Sequence, residues 1–171
     1  SGESFAILAI DLDGFKAVND LHGHATGDAV LQEAAERMAD AIRVSDVAAR
    51  LGGDEFAVLL LGASRDDARR VAQALVESLS LPYPEVSVSV SASVGIAVYP
   101  QSGVAVRELL ERADMALYKA QGQGKRRVEA DQGSGPPAAH VPSCVVGRRR
   151  QGGKYFARFQ PIPVPIQRHH E

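Results

Sequence analysis

The sequence predicts an α+β protein in which one mostly antiparallel sheet carries packed helices. Three observations lead there. "FAILAIDL" (Phe5–Leu12) is a near-continuous apolar run, the mark of a central strand buried on both faces. "DVAARLG" and "EFAVLLL" stand on either side of Gly52-Gly53, which makes a hairpin and hence an antiparallel pair. Amphipathic helical stretches separate these pieces, so the order reads β-α-α-β-β-α-β-α.

Each element has a local reason. "FKAVNDLHG" (Phe15–Gly23) is a short helix ended by glycine. Thr26 to about Val44 is a long helix with Val30, Leu31, Ala34, Ala35, Met38 and Ile42 on one face. After the hairpin, Ser64–Leu79 is a helix with Ser64 as N-cap and Asp66 and Asp67 in the first turn, where acids favour the dipole. "VSVSVSASVGIAVYP" alternates at first with period two, as a half-buried strand does. Val106 to about Ala120 is the last helix, with Leu109, Leu110, Ala113 and Leu117 as its stripe, and Arg126–Val128 adds a short strand. Composition changes near Glu129. The segment 130–171 is rich in Gly, Pro and Arg and reads as linker or disorder, leaving residues 1–129 as the folded domain.

At 171 residues the chain is long enough to bury a real core, and 45% apolar with 23% charged residues is ordinary for a globular protein. A net charge of −2 gives no general reason to expect a nucleic-acid partner. No apolar run is long enough to span a bilayer, and Ser1 opens no signal-peptide pattern. The single Cys144 excludes an internal disulfide and fits a reducing compartment, so a cytoplasmic location is expected.

The chemistry gathers at one edge. The first strand ends in "DLDGFK", delivering Asp11 and Asp13 to the end of the sheet. With the hairpin beside it, Asp54 and Glu55 reach the same edge. Carboxylates from separate segments repel one another unless a cation sits between them, and hard oxygen ligands suit Mg²⁺. Gly52 and Gly53, lacking Cβ atoms, let a ligand approach the backbone closely.

"GGDEF" at Gly52–Phe56 resembles the signature of the diguanylate cyclases. "DLDGFKAVND" (Asp11–Asp20), "GHATGDAVL" (Gly23–Leu31), "SVGIAVYP" (Ser93–Pro100) and "ADMALYKAQGQGK" (Ala113–Lys125) are similar to further segments of that family, in its order. The likeness covers nearly all of residues 4–128, and five ordered motifs outweigh the plain reading of Gly-Gly as a common hairpin turn.

The resemblance implies a ferredoxin-like palm similar to class III nucleotidyl cyclases, condensing two GTP into cyclic di-GMP with loss of pyrophosphate. It implies a homodimer, each domain holding one GTP, because the product is two-fold symmetric. By the same carry-over, Asp11, Asp54 and the carbonyl of Leu12 bind Mg²⁺ (or Mn²⁺), and Glu55 helps in deprotonation or metal binding. Asn19 and Asp28 read guanine, Lys16 and Lys125 meet phosphates as point charges, and the N–H groups of Gly14 and Phe15 cradle phosphate. Arg43 and Asp46 form an Arg-x-x-Asp product-inhibition site, to which Arg69 or Arg70 of another subunit adds a contact.

Duller roles compete at several positions. Asp13 and Asp20 read as turn and capping residues, Asp28 suits a first helical turn, and Arg43 suits a helix C-terminus. His22 and His24 read as a polar loop rather than metal ligands. The chain also departs from the family. The usual initial helix and "D-x-L-T" segment are absent before the first strand, as in a fragment. Gln121 replaces a usual lysine and Lys125 a commoner arginine, which predicts weaker triphosphate binding and reduced synthesis. "YFARFQPI" resembles the opening of an EAL phosphodiesterase domain. The alternative function is therefore a catalytically weak domain that binds GTP or cyclic di-GMP and regulates such a neighbour.

Overall fold

A strand with apolar side chains on both faces must lie where both faces are covered, and Phe5–Asp13 (β1) takes the middle of the sheet. The computed structural model describes residues 3–133 and 160–161. On one side β1 pairs antiparallel with Glu55–Leu61 (β3), from Phe5 opposite Leu61 to Asp11 opposite Glu55. On the other it pairs antiparallel with Ser91–Tyr99 (β4), from Phe5 opposite Tyr99 to Asp13 opposite Ser91. Val47–Gly52 (β2) lies outside β3, and Val128–Ala130 (β5) runs parallel to β4. Gln160–Pro161 (β6) pairs with Ala49 and Arg50 of β2, giving the order β5-β4-β1-β3-β2-β6. Its central β4-β1-β3-β2 arrangement is the ferredoxin-like order, so the expected mostly antiparallel α+β sheet is present.

The helices divide between the two faces. Phe15–His22 (α1), His24–Ala41 (α2) and Arg65–Leu79 (α3) cover the face of Leu8, Ile10, Leu12, Phe56, Val58, Leu60, Val94 and Ile96, supplying Val18, Val30, Met38, Leu75 and Leu79. Among the described residues, Val106–Gly122 (α4) is the helix on the other face, packing Leu109, Ala113 and Leu117 against Ile7, Ala9 and Ala97. Gly95 makes this approach possible, since a Cβ there would lie 2.1 Å from the Ala113 carbonyl oxygen. Ser64 caps α3 as expected: its hydroxyl accepts from the Asp67 N–H while its own N–H donates to the Asp67 carboxylate.

Several boundaries move for physical reasons. Gly23, at φ 87, closes α1 by donating to the Asn19 carbonyl, and α2 starts directly at His24 rather than Thr26. Helix α2 stops at Ala41 because Ile42 is extended, so Arg43 lies beyond the helix end. The hairpin turns at Gly53-Asp54 rather than Gly52-Gly53, since Gly52 still pairs with Glu55 across a bulge after Arg50. The alternating stretch Val86–Val90 precedes β4 instead of starting it. β1 leaves the ladder at Gly14 (φ 86), whose missing Cβ makes room for the Ser89 carbonyl, so no partner strand continues there. Nor is β4 half-buried, because α4 seals its second face. The last strand starts at Val128 rather than Arg126 because Lys125 and Arg126 form a left-handed turn at φ 62 and 46. The expected irregular tail over 130–171 lies outside the described residues, except for 130–133 and the pair in β6.

Candidate active site

The edge where β1 ends is where the acids meet. Asp11 and Glu55 stand opposite one another on neighbouring strands, and the turn before Glu55 brings in Asp54. One carboxylate oxygen from each of Asp11, Asp54 and Glu55 falls within 4.8 Å of the others. The turn is tied to the strand end: the Leu12 N–H donates to the Asp54 carbonyl at 3.1 Å, and the Arg50 guanidinium donates to the Gly53 carbonyl at 2.9 Å. All three acids are half-buried, so their mutual repulsion is poorly screened by water. Three carboxylates with no sulfur or imidazole among them form a donor set for a hard divalent cation. Asp11, Leu12 and Asp54 are thus brought together as expected, with Glu55 beside them.

A cleft of about 450 Å³ opens from this cluster, lined by Asp11, Leu12, Gly14, Phe15, Lys16 and Asp54 among others. It runs over the start of α1, whose first turn carries no acid and no side-chain cap. The first-turn N–H groups of a helix lack intrahelical acceptors, so this end of α1 is suited to an anion. Lys16 and Lys125 line the same cleft and are exposed, placing two cations around a space walled on one side by carboxylates. That polarity suits a metal-bound polyphosphate: acids for the cation, lysines and amides for the phosphate oxygens.

Two residues of the cleft wall carry roles that sequence reasoning missed. Gln121, at the end of α4, donates its side-chain amide to Asp11 Oδ2 at 2.9 Å. Asp13 is buried, and its Oδ2 accepts from Ser93 Oγ at 2.7 Å, Ser91 Oγ at 3.3 Å and the Arg126 N–H at 3.3 Å. Its carboxylate therefore joins the ends of β1 and β4 to the left-handed turn that carries Lys125. The serines at alternate positions of "SASVG" were the available signal, since they lie on the strand face that receives Asp13.

Other expected residues lie apart from the cluster. Asn19 follows Lys16 by one turn of α1, outside the cleft lining, and its amide packs against Gly27, where a Cβ would meet Asn19 Oδ1 at 1.8 Å. Gly27 thereby sets Asn19 beside the residue that precedes Asp28, which is exposed on α2. Gly52 and Gly53 shape the turn beside Asp54, and among the described residues nothing beyond their chain neighbours lies within 4 Å of the Cβ position of either. Arg43 and Asp46 sit at the opposite end of the hairpin. Asp46 is buried and accepts from the Arg43 N–H at 3.0 Å and the Leu61 N–H at 3.1 Å, while the Arg43 guanidinium contacts it at 3.4 Å and remains 66% exposed. Arg70 pairs with Asp67 on its own helix.

This sheet with its packed helices is the palm-like cyclase fold of the solved GGDEF domains it matches. Over residues 1–127 the chain matches the family described as diguanylate cyclase, GGDEF domain, and it belongs to that family. It is 49% identical over 124 residues to the bifunctional diguanylate cyclase/cyclic di-GMP phosphodiesterase MucR of Pseudomonas aeruginosa, covering 71% of this chain and 18% of MucR. The GGDEF domain of TpbB from Pseudomonas aeruginosa superposes with a TM-score of 0.72 at 44% identity, covering 76% of this chain and 83% of that one. The GGDEF domain of DgcB from Caulobacter crescentus, solved in complex with c-di-GMP, gives 0.71 at 28% identity, covering 77% and 80%. The chain thus spans less than a fifth of the length of MucR. No helix among the described residues is long and apolar enough to cross a membrane.

Proposed function

We propose that this domain condenses two GTP molecules into cyclic di-GMP, releasing pyrophosphate, with Mg²⁺ or Mn²⁺ as cofactor. The observation that carries the reading is the convergence of Asp11, Asp54 and Glu55 beside the open first turn of α1. In it, Asp11, Asp54 and the Leu12 carbonyl hold the cation, which when bound neutralises the triphosphate and acidifies the attacking 3′-hydroxyl. Glu55 assists as proton acceptor or as a further oxygen donor. The amides of Gly14 and Phe15, with Lys16 and Lys125, orient the phosphates for in-line displacement of pyrophosphate. Asn19 and Asp28 select guanine, because an acceptor left unpaired by adenine is costly. Two domains meet face to face as a homodimer, so that each 3′-hydroxyl attacks the other's α-phosphate. Product returns to Arg43, whose exposed guanidinium is oriented by buried Asp46, and restrains synthesis.

The test is incubation of the purified protein with GTP and Mg²⁺, with cyclic di-GMP measured by chromatography. Product that disappears in Asp54→Ala is expected. Tight GTP binding without turnover at high protein concentration refutes catalysis and leaves a nucleotide-binding regulatory domain.

A further inference from the structure

Asp20 lines the cleft, yet neither folding nor the chemistry described so far uses its carboxylate. It lies in the last turn of α1, where an acid faces the negative end of the helix dipole and costs stability rather than adding it. Capping does not account for it either, because Gly23 closes α1 by donating its N–H to the Asn19 carbonyl. Among the described residues the exposed Asp20 side chain enters no hydrogen bond and no ion pair. What it does share is a helix face. Lys16, Ala17 and Asp20 stand on the exposed side of α1 that walls the cleft, while Phe15 and Val18 are buried on the other.

The order of groups along that face matches the order of parts in a nucleotide. The open first turn and Lys16 suit phosphate, and Asn19, packed on Gly27 beside Asp28, stands where the base is read. A sugar joining the two must cross the exposed face of α1 between them. There Ala17 is small and leaves room, and Asp20 lies about 6 Å further along the axis than Lys16, clear of the phosphate end. A carboxylate is a pure acceptor, and its natural partner on a sugar is a hydroxyl, held by a short charge-assisted bond.

We propose that Asp20 reads the sugar: its carboxylate accepts the 2′-hydroxyl of the bound nucleotide and so selects ribonucleotide over 2′-deoxyribonucleotide. This rests on the reading of the cleft as a GTP site. The 2′-hydroxyl is the one assigned because the 3′-hydroxyl is the attacking group in that reading. Asp20 is a substrate-binding residue here and takes no part in proton transfer.

The experiment is calorimetric titration, with Mg²⁺ present, of the α,β-methylene analogues of GTP and 2′-deoxy-GTP, whose α–β bridge the reaction cannot break. Wild type, Asp20→Ala, Asp20→Asn and Asp54→Ala are compared, with melting curves to show that the variants fold alike. Wild type is expected to bind the ribo analogue about ten- to a hundredfold more tightly, the span of a hydrogen bond to a charged group. Asp20→Ala should lose that preference by weakening the ribo analogue alone, and Asp20→Asn, which keeps an uncharged acceptor, should retain a few-fold preference. A merely structural role would weaken both analogues together. Equal affinities in wild type, or a preference that survives Asp20→Ala, overturn the proposal; if binding is then still lost in Asp54→Ala, the nucleotide-site reading stands. If neither analogue binds to wild type, both fail.

Discussion

The contact between α4 and the sheet allows a sharp test, because it holds stability and the site in one place. Gly95→Ala adds a single methyl group where the nearest atoms are the Ala113 carbonyl oxygen at 2.1 Å, the Leu117 nitrogen at 2.2 Å and the Leu117 Cα at 2.9 Å. All three are backbone, so no rotamer change relieves the clash. Restoring contacts of roughly 3.2 Å requires α4 to lift from β4 by about 1 Å. That separates Leu109, Ala113 and Leu117 from Ile7, Ala9 and Ala97 along the whole second face. Overpacking of this kind costs roughly 1–3 kcal/mol, and rigid neighbours put this case at the upper end. At roughly 3 °C per kcal/mol for a chain of this size, the melting temperature should fall by about 9 °C. The same displacement carries Gln121 away from Asp11 and shifts the turn bearing Lys125, so KM for GTP should rise by about tenfold even where the variant stays folded. Circular-dichroism melting and initial-rate kinetics read the two effects separately. A variant that melts within 2 °C of wild type, with KM unchanged, refutes the tight packing and its link to the cleft.

Three further outcomes follow from other groups. Asp46→Ala removes the buried carboxylate that accepts from the part-buried N–H groups of Arg43 and Leu61 and should cost about 1–2 kcal/mol in urea denaturation; the exposed Arg43 pair itself contributes little of this, and a loss below about 0.3 kcal/mol refutes the assignment. Asp13→Asn keeps an acceptor for Ser93 and Arg126 and should preserve KM for GTP, whereas Asp13→Ala should raise it several-fold with kcat nearly unchanged by releasing the Lys125 turn; equal kinetics in both variants argue against a positioning role. Burial, with the charge of Glu111 adding to it, raises the Asp114 carboxyl from 3.8 to about 6. The folded state therefore holds the proton more tightly, and the stability this contributes is full below pH 3.8 and lost as pH rises through about 6. Asp114→Asn should remove that pH dependence and gain about 2 kcal/mol at pH 7.5, measured by denaturation across pH 4–8; unchanged curves refute it.

Much of this was legible in the sequence where local pattern and global position agree. "FAILAIDL" is apolar on both faces, so only the middle of a covered sheet satisfies it, and ending that strand with Asp11 forces an acid to the sheet edge. The hairpin then brought Asp54 and Glu55 alongside without any long-range information beyond strand pairing. What failed was decided by neighbours distant in sequence. Val86–Val90 alternates like a strand but faces the departing Gly14 rather than a pairing partner. "SVGIAVY" gives no local sign that α4 will seal its second face; Gly95 carries that fact only through what it lacks. Gln121 reads as a lost phosphate contact because a sequence shows the missing charge, whereas its bond to Asp11 depends on where α4 ends in space.

The arrangement of the site follows from this division of labour. Asp11, Asp54 and Glu55 come from strands and a turn whose positions are fixed by backbone pairing, so the acids are placed by the strand ladder itself. The groups proposed to face phosphate come from elements tied to that frame: α1 through Gly14, and the Lys125 turn through Asp13. In the proposed reaction, acids held by strand pairing would keep a bound ion in place while phosphate oxygens shift from ground state to transition state. Asp13 then has a reason to be buried that capping alone does not supply. Its single oxygen fastens the turn bearing Lys125 to the ends of β1 and β4, and the spacing between Asp11 and Lys125 depends on that fastening.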